Sequence, residues 1–357
     1  MITIKELSID GYEKVIEGID EENHLHCFIA IHNTTLGPAL GGMRVFPYEN
    51  RENALKDALL LAKAMTKKSA LAGLGFGGGK SVIIADPKMD KNEKLLTAFA
   101  EVVNSLQGKY IAAEDVGSSV GDMTTLRKTT PYVAALATKT SSGDPSPYTA
   151  WGVFMAIKAT AKKLWGSSEI KGKIIAIQGL GHVGFKLAEF LFWNGADLIV
   201  ADIDHLKSEK IHKLYGAKVV SPKDIYSEKC DIFAPCAMGG GINPDTIPTL
   251  NCKAIVGAAN NQLSNSEDGN LLSQRKILYA PDFITNAGGI INASLEFSPE
   301  GYNPKIAKAK VDKIYDTLLW VYEKAESENK LTVEVADELA DYNLKNKIDA
   351  RIRSIIF

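Results

Sequence analysis

The sequence predicts an α/β protein of two domains separated by a cleft, and three observations support this fold class. Apolar strand-like segments alternate with amphipathic helical segments along most of the 357 residues, as in sheets covered by helices. The turn formers of residues 142–147 (SGDPSP) mark a boundary. A strand at 173–178 leads directly into a glycine-rich turn and a helix. We expect residues 1–145, joined by 329–357, to form one domain and residues 146–328 the other.

Composition argues against several classes of function. A net charge of −2 with 24% charged residues does not indicate a nucleic-acid or anionic-membrane binder. The first residues lack a signal-peptide pattern and no apolar run reaches the length of a membrane span, so we expect a cytoplasmic protein. The cysteines form no C-x-x-C pair, so we predict reduced thiols and neither a disulfide nor a metal site; they are Cys27, Cys230, Cys236 and Cys252.

A lysine that ends a run of glycines is the first candidate for catalysis. Residues 75–79 are rich in glycine, Lys80 follows, and an apolar strand is predicted at 81–85. Glycines let a ligand approach the backbone, and a lysine desolvated by that ligand becomes a plausible general base. A phosphate-binding loop is disfavoured, because its first glycine would fall on Leu74 and a strand, not a helix, follows. A glycine turn with a solvent-facing lysine stays open from this stretch alone.

Two further side chains are expected near Lys80. A helix capped by Asn53 and running to about residue 70 carries an apolar stripe that includes Met65, and Lys68 continues that stripe. A buried lysine needs a partner or a cavity. Asp115 ends the strand predicted at 110–115, and ligands of open α/β sheets gather beyond such strand ends. The alternative is an ordinary solvated loop acid.

The glycines of residues 179–184 (GLGHVG) fit a Rossmann-type dinucleotide-binding turn. They follow a strand, open a helix, and are answered by Asp202, 23 residues after Gly179, close to the roughly 20 that this fingerprint requires. The helix N-terminus would offer N–H groups to the pyrophosphate. Asp202 would bind the adenosine ribose hydroxyls and favour NAD over NADP. A glycine turn without a ligand is the alternative.

Six segments together resemble one known family. They lie at residues 36–44, 76–80, 114–117, 143–149, 179–184 and 281–289. In this order they resemble the glutamate/leucine/phenylalanine/valine dehydrogenases, and among these the leucine dehydrogenases most. The resemblance implies reversible NAD-dependent oxidative deamination of an L-amino acid to its 2-oxo acid and ammonia. It also implies a site in the cleft and a homo-oligomer.

The resemblance also implies roles for individual residues. Lys80 and Asp115 would be catalytic, and Lys68 would bind the substrate carboxylate with help from Asn286. Further substrate contacts would be Leu40, Gly41, Gly42, Met65, Ala113, Ile290 and Ala293. The dinucleotide would contact Thr149, Gly179, Leu180, Gly181, His182, Val183, Gly184, Asp202 and Asn260.

The pocket residues predict the class of substrate. Family members that use glutamate resemble this chain except for a lysine at position 40 and a serine at 293, where Leu40 and Ala293 stand. A substrate γ-carboxylate would be desolvated there without a partner. We therefore expect a branched-chain or other apolar amino acid. A preference for phenylalanine is an alternative, and so is a non-catalytic sensor of NAD or amino acids that has kept the fold.

Overall fold

The computed structural model describes residues 1–136, 138, 141–353 and 355. Contacts divide the chain into two compact units. The first unit comprises Met1–Pro145, Ile290–Ala307 and Ala340–Phe357, and the second comprises Ser146–Gly289 and Lys308–Leu339. These units share the boundary after residue 145 with the predicted domains but assign 290–307 and 329–339 differently. The functional division into domains stays a prediction, because contacts do not show what each unit binds.

The first unit is built on a six-stranded mixed sheet. Its elements are β1 (Thr3–Leu7), β2 (Lys14–Asp20), β3 (Leu25–Asn33), β4 (Ala39–Phe46), α1 (Arg51–Leu71), β5 (Gly77–Ile84), α2 (Glu93–Ser105), β6 (Tyr110–Glu114) and α3 (Val120–Arg127). The strand order is β1-β2-β3-β5-β4-β6. Strand β4 is parallel to both β5 and β6, and the pairs from β1 to β5 are antiparallel. The carboxyl ends of β4, β5 and β6 therefore lie at one edge.

The two faces of this sheet are covered by different helices, as the alternation of β3 shows. Cys27 and Ile29 belong to a core cluster with Phe99 of α2. Phe28 and Ala30 belong to a second cluster, which contains Ala54, Ala58 and Ala62 of α1. Successive strand residues point to opposite faces, so one strand supplies both cores. The alanines of α1 let that helix approach the sheet closely.

The glycines directly before Lys80 lie in a strand, because β5 begins at Gly77 and not at the predicted residue 81. Gly41 lies within β4 and Gly78 within β5. A Cβ added to Gly41 would lie 1.8 Å from the Gly79 carbonyl oxygen, and one added to Gly78 would lie 2.1 Å from the Thr66 nitrogen on α1. The glycines are therefore needed because strands and helix approach too closely for side chains.

Helix α1 also begins earlier than predicted. Its N-cap is Asn50, whose side chain accepts from the backbone N–H of Asn53 at 2.8 Å. Asn53 is thus inside the first turn and not the cap itself. The buried stripe starts at Ala54 and includes Leu61, whereas Leu59 is only half-buried. Met65 and Lys68 are buried as expected.

The second unit contains a six-stranded parallel sheet in the order β12-β11-β10-β7-β8-β9. Its elements are α4 (Ser146–Trp165), β7 (Ile174–Gln178), α5 (His182–Trp193), β8 (Asp197–Ala201), α6 (His205–Tyr215), β9 (Lys218–Val219), β10 (Ile232–Pro235), β11 (Ala254–Ile255), α7 (Asp268–Gln274), β12 (Leu278–Tyr279) and α8 (Asp282–Thr285). The predicted glycine turn lies between β7 and α5.

Four helices follow in the last part of the chain. They are α9 (Gly288–Ser294), α10 (Pro304–Asp312), α11 (Ile314–Glu328) and α12 (Thr332–Lys345). Helices α10 and α11 are separate because the helical segment at residues 304–328 is divided near Lys313. None of the helices, over the residues that the structure describes, is long and apolar enough to cross a membrane.

Tyr110 joins the three parallel strands β5, β4 and β6 and provides a test of the fold. Its side chain is fully buried, and its hydroxyl donates to the Gly41 carbonyl at 2.8 Å and shares a hydrogen bond with the Ser81 hydroxyl at 2.9 Å. We expect Tyr110→Phe to lower the free energy of unfolding by about 1–3 kcal/mol, since it removes a buried hydroxyl with two partners. Urea unfolding followed by circular dichroism measures this. Tyr342→Phe, at a 60% exposed position, is the control, and equal stabilities of the two variants would contradict the prediction.

Candidate active site

Lys80 and Asp115 form a buried ion pair in the first unit. The lysine Nζ lies 2.6 Å from the Asp115 Oδ2, and Lys80 is only 4% exposed. Lys80 comes from β5, whereas Asp115 directly follows β6, and β4 lies between these two strands. On β4, Gly42 pairs with Ala113, and a Cβ on Gly42 would lie 2.6 Å from the Asp115 Cβ. The absence of a side chain at Gly42 therefore allows Asp115 to reach Lys80.

Arg44 contacts the same carboxylate oxygen of Asp115 as Lys80 does. Its Nε lies 3.2 Å from the Asp115 Oδ2, and its Nη1 lies 2.8 Å from the Asp57 Oδ2. The Tyr48 hydroxyl donates to that Asp57 oxygen at 2.5 Å. Asp115 Oδ2 thus accepts from two cations, and its orientation is set by side chains from two different strands. Charge-assisted bonds of this kind are shorter and stronger than neutral ones.

The environment changes the ionisation of both partners. Burial by itself would raise the pKa of Asp115, but the charges of Lys80 and Arg44 outweigh burial and hold that pKa well below its usual range. Burial lowers the pKa of Lys80, and Arg44 lowers it further, although Asp115 opposes both effects. Lys80 therefore gives up its proton more readily than a solvated lysine, as proton transfer near neutral pH requires.

The other predicted substrate residues of the first unit lie on α1, β4, β6 and α9. Lys68 and Met65 are each 7% exposed on α1, the helix that packs against the glycines of β5. The predicted apolar pocket residues come from three elements: Leu40 on β4, Ala113 on β6, and Ile290 and Ala293 on α9. Of these four, Ile290 alone is not fully buried. The structure thus assigns all four to the first unit.

The glycines of the second unit have different steric roles. Gly179 has φ of +92°, and a Cβ there would lie 2.9 Å from the backbone nitrogen of Ala237. A Cβ on Gly184 would lie 2.0 Å from the Gly179 carbonyl oxygen. A Cβ on Gly181, by contrast, would meet no atom within 4 Å. The first and third glycines are required by packing, and the space beside the second is open, as a dinucleotide pyrophosphate needs.

The remaining dinucleotide residues of this turn are next to that open space. Leu180 lies in the turn, and His182 and Val183 begin α5 after the N-cap Gly181. The backbone N–H of Leu180 donates to the Asp202 Oδ2 at 2.6 Å. Asp202 therefore lies against the glycine turn, with further acceptor capacity on a side chain that is 8% exposed. These features fit the adenosine half of a dinucleotide.

Asn286 and Asn260 are brought together in the second unit. The Asn286 Nδ2 donates to the Asn260 Oδ1 at 3.0 Å and to the Ala258 carbonyl at 3.1 Å. The Asn286 Oδ1 is buried without a partner among the described residues. Contact with a substrate carboxylate would require the Nδ2 to exchange one of its present partners. Thr149 lies in the first turn of α4. A Cβ added to Gly288 would lie 3.0 Å from the backbone nitrogen of Thr149.

Several residues of the site were not identified from the sequence. The pair and its strands are positioned by Arg44, Asp57 and Tyr110. Of these three, only Arg44 could have been noticed in the sequence, because it is a charged residue in an apolar stretch and directly follows two glycines and a methionine. Asp57 looks like an ordinary helix-surface acid. In the described part of the chain, no group of three or more His, Cys, Asp or Glu side chains could hold a metal ion.

Comparison with known proteins is consistent over nearly the whole chain. The family model described as Glu/Leu/Phe/Val dehydrogenase, dimerisation domain, matches residues 14–132, and the model described as Glutamate/Leucine/Phenylalanine/Valine dehydrogenase matches residues 199–340. The chain is 46% identical over 352 residues to leucine dehydrogenase of Geobacillus stearothermophilus, covering 98% of this chain and 95% of that relative. It is 43% identical over 344 residues to phenylalanine dehydrogenase of Thermoactinomyces intermedius, covering 96% and 93%.

A solved structure agrees with the sequence matches. The crystal structure of L-tryptophan dehydrogenase from Nostoc punctiforme superposes with a TM-score of 0.78 at 43% identity, covering 94% of this chain and 97% of that one. These matches confirm the predicted family resemblance and the α/β fold. Dehydrogenases of this family use NAD or NADP. The chain therefore belongs to the Glu/Leu/Phe/Val dehydrogenase family and is an amino acid dehydrogenase.

Proposed function

We propose that the protein catalyses reversible NAD-dependent oxidative deamination of an aliphatic L-amino acid, such as leucine, valine or isoleucine, to its 2-oxo acid and ammonia. One observation carries the proposal: a buried lysine–aspartate pair at 2.6 Å beside Gly41 and Gly42. Buried charges are costly, and an ion pair held by glycine-rich strands suits proton transfer better than structural support.

The residues of the first unit divide the work on the substrate. Lys68 binds the α-carboxylate, helped by the backbone at Gly41 and Gly42. The bound nicotinamide cofactor supplies the chemistry of hydride acceptance from Cα. Neutral Lys80 takes a proton from the water that adds to Cα, and it returns that proton in the reverse direction. Asn286, a residue of the second unit, is a further substrate contact.

The coupling between Lys80 and Asp115 gives the aspartate its role at the amino nitrogen. Lys80 is the main charge that keeps the pKa of Asp115 low. When Lys80 loses its proton, that attraction disappears and Asp115 becomes a stronger base. The carboxylate can then receive a proton from the substrate nitrogen and return it to the departing ammonia. Two coupled groups of this kind titrate as a pair.

The apolar pocket sets the substrate class. Leu40, Ala113 and Ala293 are all less than 5% exposed, and none carries a group that could pair with a charged substrate side chain. A glutamate γ-carboxylate would be buried without a partner, which costs several kcal/mol. An aromatic amino acid is the second candidate, because relatives named phenylalanine and L-tryptophan dehydrogenase are each 43% identical to this chain.

We further propose that the cofactor is NAD and that the protein forms a homo-oligomer. Asp202 favours NAD, because a carboxylate against the glycine turn binds ribose hydroxyls and repels the 2′-phosphate of NADP. Thr149 and Asn260 would contact the nicotinamide half. The homo-oligomer is supported by the match of residues 14–132 to a family model described as a dimerisation domain.

A panel of L-amino acids tests the proposed function directly. Reduction of NAD, followed by absorbance, should occur with leucine, valine and isoleucine, and phenylalanine should show whether the aromatic alternative holds. We expect kcat/KM for the best aliphatic substrate to exceed that for glutamate by at least ~100-fold, because glutamate would bury an unpaired charge. Glutamate as the best substrate, or no reduction with any amino acid, would refute the proposal.

Removal of the Lys80 amine tests its role in proton transfer. Lys80→Ala should lower kcat by about 10³-fold or more, as loss of a general acid–base group does, while NAD still binds as judged by NADH fluorescence. In the wild type, kcat/KM should rise with pH and level off below the ordinary lysine pKa, since burial lowers the pKa of Lys80. Lys63→Ala, at an exposed position on α1, is the matched control. Equal kcat in both variants would remove Lys80 from the mechanism.

Asp202→Ala tests the cofactor preference. The variant should bind NAD about 10-fold less tightly and lose most of its preference over NADP, because the hydrogen bonds to ribose and the repulsion of a 2′-phosphate both disappear. The ratio of kcat/KM for NAD and NADP measures the change. Asp197→Ala, which alters an exposed carboxylate at the start of β8, should leave that ratio unaltered. A ratio in Asp202→Ala equal to that of the wild type would contradict this role.

A further inference from the structure

Glu296 is a partly buried carboxylate that accepts several hydrogen bonds from one segment of the first unit. It follows α9 by two residues. The Ala135 N–H donates to its Oε1 and Oε2 at 3.0 and 3.2 Å. The Ser142 N–H donates to Oε1 at 2.6 Å, and the Ser142 hydroxyl donates to it at 2.5 Å. Burial raises the pKa of Glu296, and these bonds oppose that shift. The carboxylate thus fixes Ala135 and Ser142 at one place.

The residues directly before Ala135 lie against the strand that carries part of the proposed pocket. The Ala112 N–H donates to the Tyr132 carbonyl at 3.0 Å, and the Ala134 N–H donates to the Ala112 carbonyl at 2.8 Å. Ala112 is the neighbour of the pocket residue Ala113 on β6. Ala135 then has φ of +61°, a conformation that is unfavourable for a residue with a Cβ and persists only where surrounding contacts hold it. The Ala135 N–H donates the hydrogen bonds that the Glu296 carboxylate accepts.

Ser142 is joined to α9, the helix that carries the pocket residues Ile290 and Ala293. The Asn292 Nδ2 donates to the Ser142 carbonyl at 3.1 Å, and the Tyr302 hydroxyl donates to the Asn292 Oδ1 at 2.7 Å. Asn292 lies on α9, between the pocket residues Ile290 and Ala293. Asn292 therefore connects α9 to Ser142, and Glu296 connects the residues after α9 to Ala135, which directly follows Ala134 bonded to β6.

Beyond Glu296 the chain is held in place independently. The ring of Phe297 packs on Phe76, with centroids 5.6 Å apart. The Arg351 guanidinium lies over the Phe76 ring at 4.3 Å, and its Nε donates to the Gly75 carbonyl at 3.1 Å. Loss of the Glu296 carboxylate should therefore release Ala135 and Ser142 and leave residue 297 in place.

We propose that Glu296 is a positioning residue that fixes the apolar wall of the substrate side-chain pocket and so sets the preferred size of the amino acid. This inference rests on the proposed function for the assignment of Leu40, Ala113, Ile290 and Ala293 to that pocket. A carboxylate suits the role because both of its oxygens accept. An amide at this position would direct an NH₂ group at backbone N–H donors and repel the segment.

Glu296→Gln tests the inference with a nearly isosteric change. We measure kcat and KM for L-leucine and for the smaller L-2-aminobutyrate at saturating NAD. The KM for leucine should rise about 5- to 10-fold with kcat changed less than about 3-fold, as expected when binding and not proton transfer is affected. The ratio of kcat/KM for leucine to that for 2-aminobutyrate should fall at least ~5-fold, because the larger side chain contacts more of the wall. Glu300→Gln, at an exposed position four residues later, should match the wild type.

Two further results separate the possible outcomes. If Glu296→Gln does not fold, Ser142→Ala removes one donor and keeps the carboxylate, and its ratio should fall about 2- to 3-fold, since one of several bonds is lost. An equal loss of kcat on both substrates, with KM and the ratio unchanged, indicates a smaller folded fraction and overturns the inference. An unchanged ratio in both variants also overturns it. A wild-type enzyme that oxidises no amino acid refutes the proposed function itself, whereas an active wild type with unchanged ratios refutes this inference alone.

Discussion

The carboxylate oxygen that Asp115 shares between Lys80 and Arg44 is the constraint around which the first unit is organised. Taking three charged groups out of water is expensive, and attraction compensates only when the geometry is close. Contacts of 2.6 and 3.2 Å to one oxygen meet that condition. Burial and the charge of Arg44 lower the pKa of Lys80, and the charges of Lys80 and Arg44 hold the pKa of Asp115 well below its usual range. A substrate that alters either charge therefore changes the proton affinity of the other group.

This geometry depends on positions where the sheet carries no side chains. Gly42 leaves the space that the Asp115 side chain enters, and Gly41 and Gly79 allow β4 and β5 to lie side by side at this point. Gly78 lets α1, with Lys68, approach the sheet. Because Lys80 is on a strand and not on a loop, its amine is held by the packing of the sheet. Sites supported by regular elements keep their geometry better than sites on loops.

The second unit shows the same separation between packing and binding. Two glycines of the turn after β7 are needed because neighbouring atoms would collide with a side chain, whereas the space at Gly181 is open. The turn is tied to β8 by the bond between the Leu180 N–H and Asp202. A loop that is restrained at its packing positions and open at one point is preorganised for a ligand, and preorganisation reduces the entropy lost on binding.

The sequence by itself determined the family, the α/β class and most helices and strands, and it singled out Lys80, Asp115, Asp202 and the glycine turn as candidates. These depend on local periodicity and on motifs whose residues are adjacent in the chain. The tertiary structure decided that the glycines before Lys80 lie in a strand, that Arg44 and Asp57 belong to the lysine–aspartate network, and that Glu296 accepts hydrogen bonds from Ala135 and Ser142. Such contacts join residues that are 13 to 161 positions apart. A glycine required by a neighbouring strand looks the same in sequence as a glycine in a turn, because the atom that excludes its side chain belongs to a distant part of the chain.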